Sequence, residues 1–269
     1  MKHTQDSTET EAPRAAPEAR LVGSDRVLAV LKEVARHPDG IRLDELTRAM
    51  ASPKSTVHRA LASLSRADLV DQDERGRYLL GDEFLRIAFA HHEARPDHVR
   101  VHPVLEALAR RFGETAHYAV LDGRDVVYRA KADPPSGAAR LTSTVGGRNP
   151  AHATGVGKLL LSLRLDTLAA VEEWIGAVPL RRRTPRTLCT AAELHRDFGA
   201  TRERGYAVDD QESETGVCCI ALPVYTDSPS LPSGAVSVSA LTYRTPLERL
   251  AASVEEIREL LGPLGKGNR

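Results

Sequence analysis

The chain has 269 residues, with 37 basic and 37 acidic side chains, a formal net charge of zero and only 4% aromatic residues. That length suits two domains of ordinary size; the charge balance excludes a general polycation, so any nucleic-acid affinity would need a local basic cluster, and the few aromatics argue against reading single strands by base stacking. Three cysteines, two of them adjacent, cannot form a disulfide framework, no apolar run reaches membrane-span length and the N-terminus lacks a signal-peptide core, so a cytoplasmic protein with no membrane partner is expected.

Residues 1–23 are polar, rich in Pro and Ala and aperiodic, which predicts a disordered tail. A compact unit is expected over 24–81. Ser24 is placed to cap a first helix bearing Val27, Val30, Leu31 and Val34, and Leu43, Leu46 and Met50 mark a second. In the third, PKSTVHRALASLSR, the residues Val57, Leu61 and Leu64 recur at the spacing of a buried stripe, with Ser55, Arg59, Ala62 and Arg66 roughly opposite Val57. No acidic residue lies between Glu45 and Asp68 to repel phosphate. An ordinary solvated helix carries such a face too. Here, however, it is flanked by two helices and by LVDQDERGRYLLG, two short runs about a turn at Glu74–Gly76 that read as a hairpin wing. The expectation is a winged helix-turn-helix on double-stranded operator DNA. Lys54, Ser55, Thr56, His58 and Arg59, with Arg42 ahead of the second helix, would meet phosphates and base edges.

Residues 82–96, DEFLRIAFAHHEAR and its flank, read as a linker helix stopped near Pro96. Its apolar stripe is Phe84, Leu85, Ala88 and Phe89; the two aromatics, Phe84 and Phe89, pack either on their own domain or on a second subunit, and are the candidate dimer surface. From 97 to 269 the patterns mix. VHPVLEALARRFG, AHATGVGKLLLSL, AAELHRDFGATRERG and PLERLAASVEEIRELLG read as helices. HYAVLDGRDVVYRAKA reads as a strand pair turning at Asp122–Gly123, and GVCCIALPVY and GAVSVSALTY as strands. Hairpin-type strands among helices predict an α+β fold, an antiparallel sheet packed by helices.

Gly157-Lys158 suggests a phosphate loop, but His152 and Leu159 stand where that motif needs Gly and Ser or Thr. What remains is the turn Thr154–Gly157 entering a helix, whose N–H groups make a small anion site. The plainer alternative is that Thr154 caps the helix and the glycines only permit packing. Further on, Asp209 and Asp210 precede the Cys218-Cys219 pair, of which strand alternation lets one face a pocket. Ser237 and Ser239 share a strand face by the same period.

Taken together, SDRVLAVL, PKSTVHRALASL, HATGVGKLLL, GYAVDDQESETGVCCIALPV and the AVSVS strand resemble, in order, the motifs of the IclR family of bacterial transcriptional regulators, over about 24–262. The resemblance implies a GAF-like C-terminal domain that binds a small effector, usually an organic acid or aromatic metabolite. It also implies a homodimer or homotetramer whose operator affinity the effector alters. Motif matching puts effector contacts at Gly155, Val156, Asp209, Cys219, Ser237 and Ser239, with Leu141 and Asn149 on pocket-lining positions. Val156 stands where a small residue would leave more room, so a reduced cavity is expected. No catalytic residue, cofactor or metal is assigned. Two rival readings use the same residues. One is a small-molecule hydrolase with Cys219 or Cys218 as nucleophile, His152 as base and Asp209 orienting it; it would leave the winged unit without a task. The other adds zinc among His91, His92, His152, Cys218 and Cys219, though adjacent helical histidines diverge by about 100°.

Overall fold

The computed structural model describes residues 23–93, 96–135 and 141–267, so the predicted tail over 1–22 lies outside the described residues. Two compact units divide at His91/His92.

In the first unit, α1 (Gly23–Ala35), α2 (Leu43–Ala49) and α3 (Lys54–Arg66) enclose one core with a small sheet. Val30 and Val34 of α1, Leu46 of α2, and Val57, Ala60, Leu61 and Leu64 of α3 pack together with Val70 and Tyr78. Full burial of each aliphatic side chain is worth about 2 kcal/mol, which is why the three stripes find one another. The wing is β2 (Val70–Gln72) and β3 (Arg77–Leu80). Its turn is held by Asp73, whose Oδ1 accepts the N–H groups of Arg75 (3.0 Å) and Arg77 (2.8 Å). Gly76, at φ 73°, takes the left-handed position. A strand too short for its periodicity to register, β1 (Ile41–Arg42), completes the sheet in the order β1-β3-β2. Ser24 does not cap α1: the chain is already helical at Gly23.

The predicted linker helix is present over its described residues. It is α4 (Asp82–Glu93), and Pro96 opens the next helix, α5 (Pro96–Phe112), instead of stopping the last. Proline suits a first helical position, where its missing N–H has no partner to lose. Phe84 is half-buried, while Leu85 and Phe89 are exposed, and so is Ile87.

The second unit adds β4 (Thr115–Asp122), β5 (Asp125–Ala132), β6 (Arg148–Pro150), α6 (Gly155–Ser162), α7 (Leu168–Ile175), α8 (Ala191–Arg204), β7 (Ala207–Asp210), β8 (Val217–Val224), β9 (Gly234–Leu241), α9 (Leu247–Ala252) and α10 (Val254–Leu261). The six strands form one antiparallel sheet in the order β6-β5-β4-β9-β8-β7. Each face has its own core. Leu105 and Leu108 of α5, Leu250 of α9 and Ile257 of α10 pack on Tyr118, Ile220 and Val238. On the other face Leu159 and Leu160 of α6, Val171 of α7 and Phe198 of α8 cover Ala119, Ala221 and Ala235. The α+β expectation is met. The closing helix, however, is two: it breaks at Ser253, whose Oγ bonds the Arg249 carbonyl (3.0 Å) and so competes with the helical ladder.

Candidate functional site

The site is built by strand register. Asp209 on β7 lies opposite Cys219 on β8, Cys219 opposite Ser239 on β9, and Ser239 opposite Thr115 on β4. Two residues along, Ala221, Ser237, His117 and Lys131 form a parallel row. Directly paired residues share a face. Asp209, Cys219, Ser239, Ser237 and His117 therefore all stand on the face that α6 covers, whereas Cys218 belongs to the opposite core.

Between this face, the start of α6 and the segment 141–149 is a cavity of about 250 Å³. Leu141, Asn149, Gly155, Val156, Asp209, Cys219, Ser237 and Ser239, all eight positions singled out by motif, line it. So do His117, Tyr128, Ser143 and Arg183, which the sequence reading missed. For His117 a signal existed: a polar residue in an inward register on an otherwise apolar strand. Tyr128, Ser143 and Arg183 come from separate segments with no local pattern to connect them.

The start of α6 differs from the expected anion site. Thr154 Oγ1 caps the Gly157 N–H at 3.1 Å, and Cys219 Sγ accepts the Gly155 N–H. A Cβ on Gly155 would lie 2.7 Å from Cys219 Sγ, and one on Gly157 would lie 2.2 Å from the Ala151 carbonyl oxygen. Thr154 is thus a cap and both glycines permit close approach, leaving few amides for a ligand. Val156 forms part of the wall.

Burial sets the protonation of the lining. The Asp209 carboxyl, 3% exposed, is pushed up to about 7, first by desolvation and then by the neighbouring Glu212 carboxyl. Lys158 and the N–H groups of Glu212 (2.7 Å) and Ser213 (3.3 Å) pull the other way. Burial lowers the His117 imidazole to about 3, helped by Lys131, so it is neutral at pH 7. Its Nε2 meets Ser143 Oγ at 2.7 Å and its Nδ1 meets Ser239 Oγ at 3.4 Å. Tyr128 is raised to about 12 by burial, accepts from Asn149 Nδ2 at 3.3 Å and packs its ring 4.9 Å from that of His117. Below the cavity Lys158, 1% exposed, places Nζ 2.6 Å from Glu212 and 3.3 Å from Asp197. Burial opposes its charge, but the two carboxylates prevail and hold its pKa above the usual value. That lysine is a core strut and takes no part in holding phosphate.

Among the described residues the rival constellations are not assembled. His152 bonds the Arg181 carbonyl at 3.1 Å and does not line the cavity, while burial raises the Cys219 thiol far from thiolate. Cys218 and Cys219 face opposite ways, the His91 and His92 side chains lie outside the described residues, and among the described residues no three His, Cys, Asp or Glu side chains cluster as metal ligands.

On α3, Lys54, Ser55, His58 and Arg59 are exposed, as is Arg42, and Thr56 is half-buried. Lys54, Ser55, His58 and Arg59 line a shallow concavity with Leu43. One acidic group intrudes from α2: Asp44 Oδ1 lies 2.9 Å from Lys54 Nζ. The Arg42 N–H donates to Glu45 at 2.8 Å, securing the start of α2. Arg59 has no ion pair among the described residues. Among those residues, too, no helix is long and apolar enough to cross a membrane.

The family model for the IclR helix-turn-helix domain matches residues 24–74, and that for the bacterial transcriptional regulator IclR C-terminal domain matches 98–261. The HTH-type transcriptional regulator XynR of Escherichia coli (strain K12) is 31% identical over 245 residues, 87% of this chain and 92% of XynR. An IclR homologue from Microbacterium hydrocarbonoxydans, solved with 4-hydroxybenzoate, shares the fold at a TM-score of 0.71 and 22% identity, over 88% of this chain and 98% of its own. The inducer-binding domain of PobR from Acinetobacter, a double mutant solved with 3-hydroxybenzoic acid, gives a TM-score of 0.57 and 30% identity over 64% of this chain and 99% of its own. With both units matched by models of one family, and XynR aligned over nearly its whole length, the chain belongs to the IclR family of bacterial transcriptional regulators.

Proposed function

We propose that this regulator binds double-stranded operator DNA in the cytoplasm as a homodimer or homotetramer, and that a small organic acid in the second unit's cavity controls its operator affinity. The observation that carries this is the convergence of all eight motif-matched residues on one cavity. At about 250 Å³ it is near the small end for ligand pockets, a size suited to a metabolite acid rather than a nucleotide. Asp209 removes an electrostatic objection to an anionic ligand. A carboxyl held near 7 keeps its proton when an anion settles beside it and donates a hydrogen bond. The hydroxybenzoates held by the Microbacterium and Acinetobacter proteins have this chemistry, which makes them the first probes.

On the DNA side, Arg59 and His58 are the base-edge candidates, with Arg42, Lys54, Ser55 and Thr56 directed to phosphate and groove wall. A single winged unit in a chain of zero net charge binds weakly, so two half-sites read by two copies are expected. The exposed Leu85 and Phe89 are the surface proposed to join those copies.

Fluorescence anisotropy of labelled duplexes tiling the DNA beside the gene, with the full chain, tests the proposal. One duplex should bind far more tightly than a scrambled one, and a hydroxybenzoate, hydroxy acid or keto acid should shift that affinity severalfold. No preference over scrambled DNA, or a response only to neutral sugars, would overturn it.

A further inference from the structure

The second unit supplies a cation to the cavity that the family motifs do not include. Arg183 opens the segment Arg183–Thr187, whose Thr184 and Thr187 are buried. Their hydroxyls donate to the carbonyls of Gln211 and Glu212, each at 2.7 Å, and Thr187 Oγ1 accepts the Arg183 N–H at 3.0 Å. The segment is thereby fixed to the β7–β8 loop, the loop whose Glu212 and Ser213 N–H groups bond Asp209. The Arg183 side chain is fixed as well: its Nε donates to the Ser213 carbonyl at 2.7 Å. Its terminal nitrogens have no ion pair among the described residues, and the residue is exposed at the cavity rim.

The other cationic groups of the lining are committed or neutral. Arg148 is paired with Asp122 (2.7 Å) and Asp125 (3.5 Å), and His117 is uncharged. Glu214, also exposed in the lining, is not within ion-pair distance of Arg183. At the α6 start, Thr154 and Cys219 already occupy two N–H groups. The counter-charge open to an anion is therefore the guanidinium.

We propose that Arg183 is a specificity-determining residue that seats the effector's carboxylate at the cavity mouth, so that the ligand's second polar group points inward to Asp209, Ser237 and Ser239. This rests on the reading of the cavity as the effector site. A guanidinium fork meets a carboxylate bidentately, a geometry that a lysine or a helix terminus does not offer. Pinning through Nε orders the side chain before the ligand arrives, which lowers the entropy lost on binding. Arg181, Arg182 and Arg186 flank it; Arg182 is engaged with the Thr187 carbonyl and Arg186 with Asp210, and together they bias approach toward anions.

The test uses matched pairs, 4-hydroxybenzoate with 4-hydroxybenzamide, 3-hydroxybenzoate with its amide, and lactate with lactamide. Each is titrated calorimetrically into the full wild-type chain, Arg183→Gln and Arg183→Ala. Wild type should prefer the acid of at least one pair by tenfold or more, that preference should weaken in added salt, and it should vanish in both variants while amide affinity holds. The wild-type comparison stands even if a variant fails to fold. Equal wild-type affinity for acid and amide, or a preference that survives both substitutions, overturns the role of Arg183 but leaves the effector pocket standing. Binding of none of the pairs to wild type unseats the pocket reading and this inference with it.

Discussion

Gly155 and Cys219 are in contact across the cavity floor: the first residue of α6 is placed where any Cβ would come within 2.7 Å of the cysteine sulfur, and its N–H is directed to that same atom. The pair sets how closely the helix approaches the sheet. Because Asp209 and Ser239 flank Cys219 in register, it also sets the depth of the cavity.

Gly155→Ala should therefore cost about 1–3 kcal/mol of stability through overpacking, read from urea unfolding. Adding Cys219→Ala removes the obstructing sulfur, so the double variant should be more stable than the sum of the two single effects implies. Strict additivity would show that the contact is not the source of the cost.

Lys158 bridges Glu212 and Asp197 out of contact with water. Lys158→Met leaves the buried Glu212 carboxylate uncompensated and should cost about 3–5 kcal/mol. Glu212→Gln in the same chain should recover part of that loss. Since the Glu212 N–H bonds Asp209, effector affinity should fall in Lys158→Met as well. Unaltered denaturation would mean that the lysine is not the strut it is drawn as.

Asp209 and His117, both buried in the cavity wall, act on stability in opposite directions with pH. Asp209 is raised to about 7 in the folded chain, so its contribution is full below the ordinary carboxylate range and is lost as pH rises through about 7. His117 is lowered to about 3, so its contribution is present above its unfolded value and is lost as pH falls toward about 3. Unfolding free energies from pH 4 to pH 8 should show Asp209→Asn gaining on wild type as pH rises, and His117→Gln gaining as pH falls. Parallel profiles for all three proteins would contradict both assignments.

At the recognition helix, Arg59→Ala should weaken operator binding by about 1–3 kcal/mol with the fold intact. Lys54 starts from a pair with Asp44, so its two neighbouring variants should diverge. Lys54→Ala should flatten the salt dependence of binding, whereas Asp44→Asn should tighten binding to all sequences by freeing the ammonium for phosphate. Anisotropy at several salt concentrations reads both slopes, and a weaker-binding Asp44→Asn would place this end of α3 away from the DNA.

Much was legible before the fold. The stripe of Val57, Leu61 and Leu64, the hairpin about Glu74–Gly76 and the alternation of Ser237 and Ser239 are short-range periodicities, and local spacing alone determines which face each element buries. Tertiary structure decided the rest. Which of Cys218 and Cys219 meets a ligand depends on the register of β8 against β7 and β9. The approach of Gly155 to Cys219, the short strands β1 and β6, and the meeting of His117, Tyr128 and Arg183 at one cavity likewise arise from residues far apart in the chain. The same holds for charge. Nothing in one dimension marks Lys54 and Asp44 as a pair or Asp209 and Lys158 as buried, and only packing determines whether such groups are paired, neutral or free, because desolvation and proximity are properties of the folded chain.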